Sequence, residues 1–309
     1  MRRALVTGAA GFIGCHLVEA LATTGTEVVG IDNERSGDWT RLRVPCERVA
    51  RDLTELTIDD LRALCHDVDV VFHLAAEKYN SRGTTPARII DVNIAATDRL
   101  FTAAALAGAG KVVFTSSLYA YGSLGPAAMH EDDLPGPTTR YGVSKLAGEH
   151  LLRAATRDHG LRWTSARLFF IYGPRQYAEG GYKSVIVANF ERIRRGEPPT
   201  IYGDGAQALD YVFVDDAVEA LLACAAADVD GEVVNVASGR AINVNELTHA
   251  MLAAAGSHLE PVTSAPDWTA GTRRVGDPAR AAQRLGWKAS VGIEEGVARV
   301  WQWMTGSHG

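Results

Sequence analysis

The chain has 309 residues, 47% hydrophobic and 22% charged, enough to bury a sizeable core and ordinary for a globular protein rather than a disordered or coiled-coil one. A formal charge of -6 argues against a polyanion-binding surface, so no nucleic acid partner is expected, although a local positive pocket for phosphates remains open. No apolar run reaches the roughly 18 to 20 residues that span a bilayer, and Met1-Arg2-Arg3 leads into a Gly-rich turn and Glu19 rather than an apolar signal core. No membrane partner and a cytoplasmic location are expected.

In chain order, Arg3 to Thr7 reads as a strand, Gly8 to Gly14 as a turn opening a helix that runs to about Thr24, and Thr26 to Asp32 as a second strand. Val68 to Leu74 and Lys111 to Thr115 are further apolar strands, the latter preceded by a helix at Thr97 to Ala107. Gly125 to Thr139 is the best candidate for a mobile loop near the site. Tyr141 to Asp158 has helical spacing, and Leu161 to Phe170 reads as one strand. Ser184 to Arg195 then forms a helix, Thr200 to Tyr202 a strand, and Ala217 to Ala227 with Val233 to Val236 return to the main sheet. Alternating buried strands and helices imply an α/β class: a Rossmann-type parallel sheet with helices on both faces and a smaller, discontinuous α/β substrate lobe. The expected division is 1–170 with 210–240 for the dinucleotide domain and 171–209 with 241–309 for the lobe, whose core would hold Trp287, Trp301 and Trp303.

Gly8, Gly11 and Gly14 follow the first strand at the spacing that gives a tight turn, close backbone approach to a pyrophosphate and a helix N-terminus aimed at negative charge. Asp32 ends the second strand, where a carboxylate accepts the ribose hydroxyls and repels a 2′-phosphate, which favours NAD. Arg35 and Arg41 are near enough in sequence to keep NADP as the lesser alternative. Asp52-Leu53 is read either as a partner of the adenine edge or as an ordinary helix cap. The four cysteines and nine histidines show no metal-ligand spacing, so no metal is expected, and His73 reads as a wall residue near the cofactor.

Tyr141 and Lys145 are four apart and share one helix face. A nearby ammonium and the positive charge of NAD favour a tyrosinate, lowering the phenol from roughly 10 and making Tyr141 a plausible general base. Ser117 is the expected second catalytic hydroxyl, with Ser116 and Thr115 as alternatives, and Lys145 also suits a nicotinamide ribose.

Together with His73-Leu74-Ala75-Ala76, Asn93, Tyr121-Gly122, Tyr172-Gly-Pro-Arg-Gln176 and Gly203-Asp-Gly205, these motifs make the chain, from Gly8 to about Trp303, resemble the extended short-chain dehydrogenase/reductase family. Within that family it is most similar to the nucleotide-sugar epimerase and dehydratase branch, and in motif pattern to the UDP-sugar 4-epimerases. The resemblance implies a tightly bound NAD held by Gly8, Gly11, Phe12, Ile13, Gly14, Asp32, Asn33, Asp52, Leu53, Leu74, Ala75, Ala76, Asn93, Tyr141 and Lys145. It implies Ser117 and Tyr141 at the reacting sugar, Lys78 near diphosphate and cofactor, and a homodimer.

Three departures bear on the reaction. Tyr119 stands where dehydratases and decarboxylases of the family carry an acid, which ranks both well below an epimerase. Phe170 replaces a usual Asn and Leu209 a usual Arg on the substrate side, which weakens the standard diphosphate pose. Arg175, Arg192, Arg273 or Arg274 would compensate, Arg273 and Arg274 being favoured. The resemblance adds Tyr177, Tyr182, Asn189, Ile201, Tyr202 and Tyr211 as recognition positions. The expected activity is 4-epimerisation of a UDP-hexose or UDP-hexuronic acid by transient C4 oxidation, rotation and re-reduction. The alternative is net NAD(P)-dependent reduction or oxidation of a nucleotide-linked keto sugar.

Overall fold

The computed structural model describes residues 1–79, 83–122, 127–176, 183–267 and 269–306. Its first half alternates strand and helix: β1 (Arg3–Thr7), α1 (Phe12–Thr23), β2 (Glu27–Ile31), β3 (Glu47–Val49), α2 (Ile58–Leu64), β4 (Val70–His73), α3 (Pro86–Ile90), α4 (Thr97–Leu106) and β5 (Lys111–Ser117). After α5 (Arg140–His159) come β6 (Trp163–Leu168), β7 (Phe170–Tyr172), α6 (Val185–Arg194), β8 (Thr200–Tyr202), β9 (Ala208–Leu209), β10 (Tyr211–Phe213), α7 (Val214–Ala226) and β11 (Glu232–Val236). The chain ends with β12 (Ile242–Asn243), α8 (Val244–Ala254), β13 (Val262–Ser264), β14 (Arg273–Arg274), α9 (Ala279–Leu285) and α10 (Ile293–Thr305).

Seven parallel strands form the main sheet in the order β11-β6-β5-β4-β1-β2-β3. The strands are short apolar runs because helices cover both faces: Ala4, Val6, Leu17 and Val218 belong to one core cluster, and Leu5, Val29, Leu100 and Phe114 to another. The winding reverses between β1 and β4, and such a switch point opens a crevice at the carboxyl ends of the strands. Those ends deliver Gly8, Asp32, Leu74 and Ser117 to one side of the sheet. The Rossmann-type α/β class expected from the sequence is therefore observed, with short β7–β10, β12–β9–β14 and β13–β8 pairings building the smaller lobe.

Several sequence expectations need correction. Leu161 to Phe170 is two strands: β6 pairs in the main sheet, and the chain then leaves it so that Phe170 pairs with Tyr211. β5 runs on to Ser117 because pairing with Arg167 and Leu168 carries it past Thr115. α7 begins at Val214, not Ala217. Trp287 packs with Leu17 and Val218 beside the main sheet and donates its indole N–H to Asp216 O at 3.0 Å, whereas Trp301 and Trp303 pack against the lobe core. Gly125 lies outside the described residues, and the 127–139 stretch is anchored rather than loose: Met129 is buried and exchanges backbone hydrogen bonds with Val275 and Asp277.

Candidate active site

Gly8 turns the chain after β1 with φ 72°, in the left-handed region that favours glycine. A Cβ on Gly14 would stand 2.0 Å from Gly8 O, and one on Gly8 2.9 Å from Ala75 N. The β1 turn, the first turn of α1 and the loop after β4 thus meet at distances that admit no side chain. α1 opens at Gly11 without a side-chain cap and has no acidic residue in its first turn, where Phe12 and Ile13 begin the helix, so its N-terminus suits an anion. Gly14→Ala is expected to weaken dinucleotide binding about five- to a hundredfold, measured by calorimetry on nucleotide-stripped protein, because forcing a methyl against fixed backbone costs about 1–3 kcal/mol.

Asp32 is buried and accepts the amides of Ala10 at 3.0 Å and Glu34 at 2.8 Å; burial pushes its carboxyl pKa up. Asn33 donates to Asp52 Oδ2 at 2.6 Å. Asp52 caps the short helical turn at Leu53–Glu55 and also pairs with Arg88, so the cap reading of Asp52 is what its own contacts display, with Leu53 buried in the core. Despite burial, the hydrogen bonds from Thr54, Arg88 and Asn33 hold Asp52 well below the usual carboxylate range.

His73 at the end of β4 is fully buried between the hydroxyls of Thr7 (2.7 Å) and Thr97 (2.8 Å), and burial lowers it to about 3, so it is a neutral wall residue. Leu74, Ala75 and Ala76 follow it, and Ala75 N donates to Thr7 Oγ1 at 3.2 Å. Asn93 lies in a π-helical turn, Asp91–Ala96, a distortion common at functional sites. Its amide bridges both backbone groups of Glu77, at 2.7 and 2.9 Å, to Ser144 Oγ at 3.0 Å, fixing the β4 loop against α5.

Thr139 caps α5 by accepting from Gly142 N, and this start places Tyr141 and Lys145 on the inward face. Lys145 is buried, donates to Thr115 O at 2.8 Å, and its Nζ lies 5.7 Å from the Tyr141 ring centre. Burial, then the charge of Lys78, lowers Lys145 to about 7. Tyr141 is pushed up by burial and by Tyr119, and a hydrogen bond with Ser117 pulls the other way. In this geometry Lys145 is turned to Thr115 O and burial favours the neutral phenol of Tyr141, so the expected tyrosinate would depend on the positive charge of a bound dinucleotide. Lys78 is solvent-accessible, but within a walled cleft where surrounding protein, and then Arg41, lowers its pKa.

A stability consequence follows for Lys145. Its folded pKa of about 7 lies below the ordinary 10.5, so the unfolded chain holds a proton that the native state has released between these values. The penalty is full below pH 7 and is relieved as pH rises. Nucleotide-stripped protein is expected to gain stability between pH 7 and 9, by up to about 1.4 kcal/mol per pH unit. Urea unfolding across that range should lose this rise in Lys145→Met.

Three tyrosines gather beside the Tyr141 end of α5. Tyr119 and Tyr79 approach each other at 3.3 Å between hydroxyls, and their ring centres stand 5.9 and 6.3 Å from that of Tyr141. Sequence reasoning noticed Tyr119 only as a missing acid and did not single out Tyr79. The guanidinium of Arg274 lies 5.3 Å over the Tyr119 ring. Arg274 reaches there because β14 pairs with β9, setting Arg273 opposite Ala208 and Arg274 opposite Leu209, the position that departs from the family. Buried Asp210 secures this junction by accepting from Ser238, Gly239 and Gly276.

Other expected substrate residues are placed differently. Arg175 is taken up by Glu19 at 2.6 and 2.9 Å, and Asn189 uses both ends of its amide on Thr200. Arg192 donates to Pro198 O at 2.6 Å. Phe170 is half-buried against Tyr211, Ile201 is buried, and Tyr202 is exposed on β8. Tyr177 and Tyr182 lie outside the described residues.

A switch-point crevice, a glycine cradle and a Tyr-Ser-Lys set at the end of β5 define a dinucleotide-using α/β protein. The family model described as "NAD dependent epimerase/dehydratase family" matches residues 4–237, and the chain belongs to that family. A UDP-glucose 4-epimerase of Mycolicibacterium smegmatis is 36% identical over 306 residues, covering 96% of this chain and 97% of that protein. The structure of a Thermotoga maritima UDP-glucose 4-epimerase with UDP-glucose matches with TM-score 0.90 and 32% identity over 99% of each chain. MoeE5, solved in complex with UDP-glucuronic acid and NAD, matches with TM-score 0.85 and 34% identity, covering 99% of this chain and 100% of that one.

Proposed function

We propose that the chain is an NAD-dependent nucleotide-sugar 4-epimerase acting on a UDP-hexose or UDP-hexuronic acid. The observation that carries this reading is Lys145, buried and held on Thr115 O with Tyr141 on the same helix, at the end of the sheet where β1 delivers the glycine cradle of the switch-point crevice. The residues present fit NAD: the cradle would be filled by any Cβ, and Asp32 faces the ribose position with a carboxylate. In this reading Gly8, Gly11, Phe12, Ile13 and Gly14 hold the pyrophosphate, Asp32, Asn33, Asp52 and Leu53 the adenosine, and Leu74, Ala75, Ala76, Lys78, Asn93, Tyr141 and Lys145 the nicotinamide half. Bound there, NAD would supply the acceptor for a hydride from the sugar's C4 carbon and the source from which that hydride returns.

Tyr141 Oη, as the phenolate that the Lys145 ammonium and the positive charge of bound NAD would favour, takes the proton of the sugar's O4 during oxidation and gives it back during reduction. Ser117 orients that oxygen, and Tyr119 and Tyr79 wall the pocket. Lys78 and Arg274 oppose the diphosphate, so the nucleotide stays bound while the 4-keto sugar rotates and is reduced on its other face. The lobe formed by 171–209 and 241–309 holds the nucleotide, and 1–170 with 210–240 holds NAD.

We also propose a homodimer in the cytoplasm, its interface on α3 and α5, where Ile90 and Val143 are exposed on neighbouring helices. Among the described residues no helix is long and apolar enough to cross a membrane. Purified protein should be incubated with UDP-, dTDP- and GDP-sugars without added reductant and the products read by proton NMR. A C4 epimer of a UDP-sugar is expected; a keto product with accumulating NADH would replace this reading by a net oxidoreductase.

A further inference from the structure

Arg35, three residues after Asp32, stands where a cation would meet a ribose 2′-phosphate. Its backbone is fixed there: Asn33 Oδ1 accepts from Arg35 N at 3.0 Å, and Glu34 adopts φ 55° in the turn. The side chain, however, leaves the ribose corner. Its Nε lies 3.1 Å from Glu77 Oε2, and its Nη2 donates to Gly83 O at 2.9 Å, both acceptors belonging to the segment after β4. The second arginine of this corner, Arg88, is likewise tied to Asp52, with its Nε 3.8 Å from the same Glu77 oxygen.

Glu77 is a poor choice for stability alone. It is buried, yet Oε1 has no hydrogen-bond partner, and neither has Arg88 Nε. A buried carboxylate satisfied on one oxygen loses hydration that its ion pair only partly returns. The arrangement makes sense if the gain is selectivity.

We propose that Glu77 is a cofactor-selecting residue: it withholds the Arg35 guanidinium from the ribose end of the cleft and so denies a 2′-phosphate its counter-charge. The proposal rests on the reading that this cleft binds NAD. Selection then has two layers, in which Asp32 repels the 2′-phosphate and Glu77 removes the arginine that would offset the repulsion. Recognition of a phosphate by arginine depends on a freely aimed planar fork, which a standing carboxylate partner blocks.

The test is calorimetry of NAD and NADP binding to nucleotide-stripped protein carrying Asp32→Asn, Asp32→Asn with Glu77→Gln, and that pair with Arg35→Ala. Adding Glu77→Gln to Asp32→Asn should bring NADP affinity at least about tenfold closer to that of NAD, and Arg35→Ala should reverse the gain. An unchanged NADP-to-NAD ratio on adding Glu77→Gln, or a gain that survives Arg35→Ala, would overturn the proposal. NAD affinity in each variant reports on its fold, and Glu77→Met serves if the glutamine variant fails to fold. Wild-type protein that binds neither nucleotide would instead overturn the cofactor reading, and this proposal with it.

Discussion

Tyr141→Phe is expected to lower kcat for C4 epimerisation by about a hundred- to ten-thousandfold, with KM and bound dinucleotide nearly unchanged. The substitution deletes one oxygen and leaves the ring, so the packing against Tyr79 and Tyr119 persists. What disappears is the phenol oxygen that exchanges the proton, while the Lys145 contact with Thr115 O stays. Both half-reactions use that group, so neither direction escapes the loss. Steady-state kinetics with the dinucleotide measured after protein denaturation separates the cases. A variant altered only in KM would place Tyr141 in binding rather than proton transfer.

Breaking the ion pair beneath the site is expected to be the largest stability effect. Glu149, one helical turn beyond Lys145, binds Arg167 through both carboxylate oxygens at 2.9 and 2.8 Å, and both side chains are nearly inaccessible, at 1% and 3%. Glu149 also accepts from Ser116 at 2.5 Å, the neighbour of Ser117, and Arg167 lies 4.4 Å over the Tyr121 ring, whose hydroxyl donates to Asn235 at 2.7 Å. α5, β5, β6 and β11 are thereby joined by one buried polar chain. Arg167→Met leaves Glu149 charged and unpaired, at a cost of about 3–5 kcal/mol in urea unfolding, whereas the added change Glu149→Leu should recover much of it. Equal losses in the single and double variants would show that packing, not charge, dominates there.

The dinucleotide half of the site was legible because its chemistry is local. Gly8, Gly11 and Gly14 carry their meaning in spacing, and Asp32 in its place at a strand end. Tyr141 and Lys145 needed only a helix, which the apolar spacing around Leu152 supplies. The substrate half depends on contacts far apart in sequence. Nothing near Arg274 tells that β14 will lie against Leu209 and reach Tyr119 across some 150 residues of chain. Arg175 and Asn189 show the converse: as residue types they suit a diphosphate, but Glu19 and the Thr200 backbone occupy them. Glu77 had a signal that was passed over, an acid directly after a strand-end Ala-Ala in the loop that faces the arginines after Asp32. The turn of Lys145 toward Thr115 O, and the burial that favours the neutral phenol of Tyr141 and lowers Lys145, depend on packing that is invisible without coordinates.

The central claim is an internal hydride cycle. It is tested most directly by single-turnover mass spectrometry and NMR on purified protein with C4-deuterated UDP-glucose and no added reductant. The account predicts a C4 epimer of unchanged mass that keeps its deuterium, with protein-bound NAD restored. Loss of the label to solvent, or a keto product formed in proportion to NADH, would contradict it.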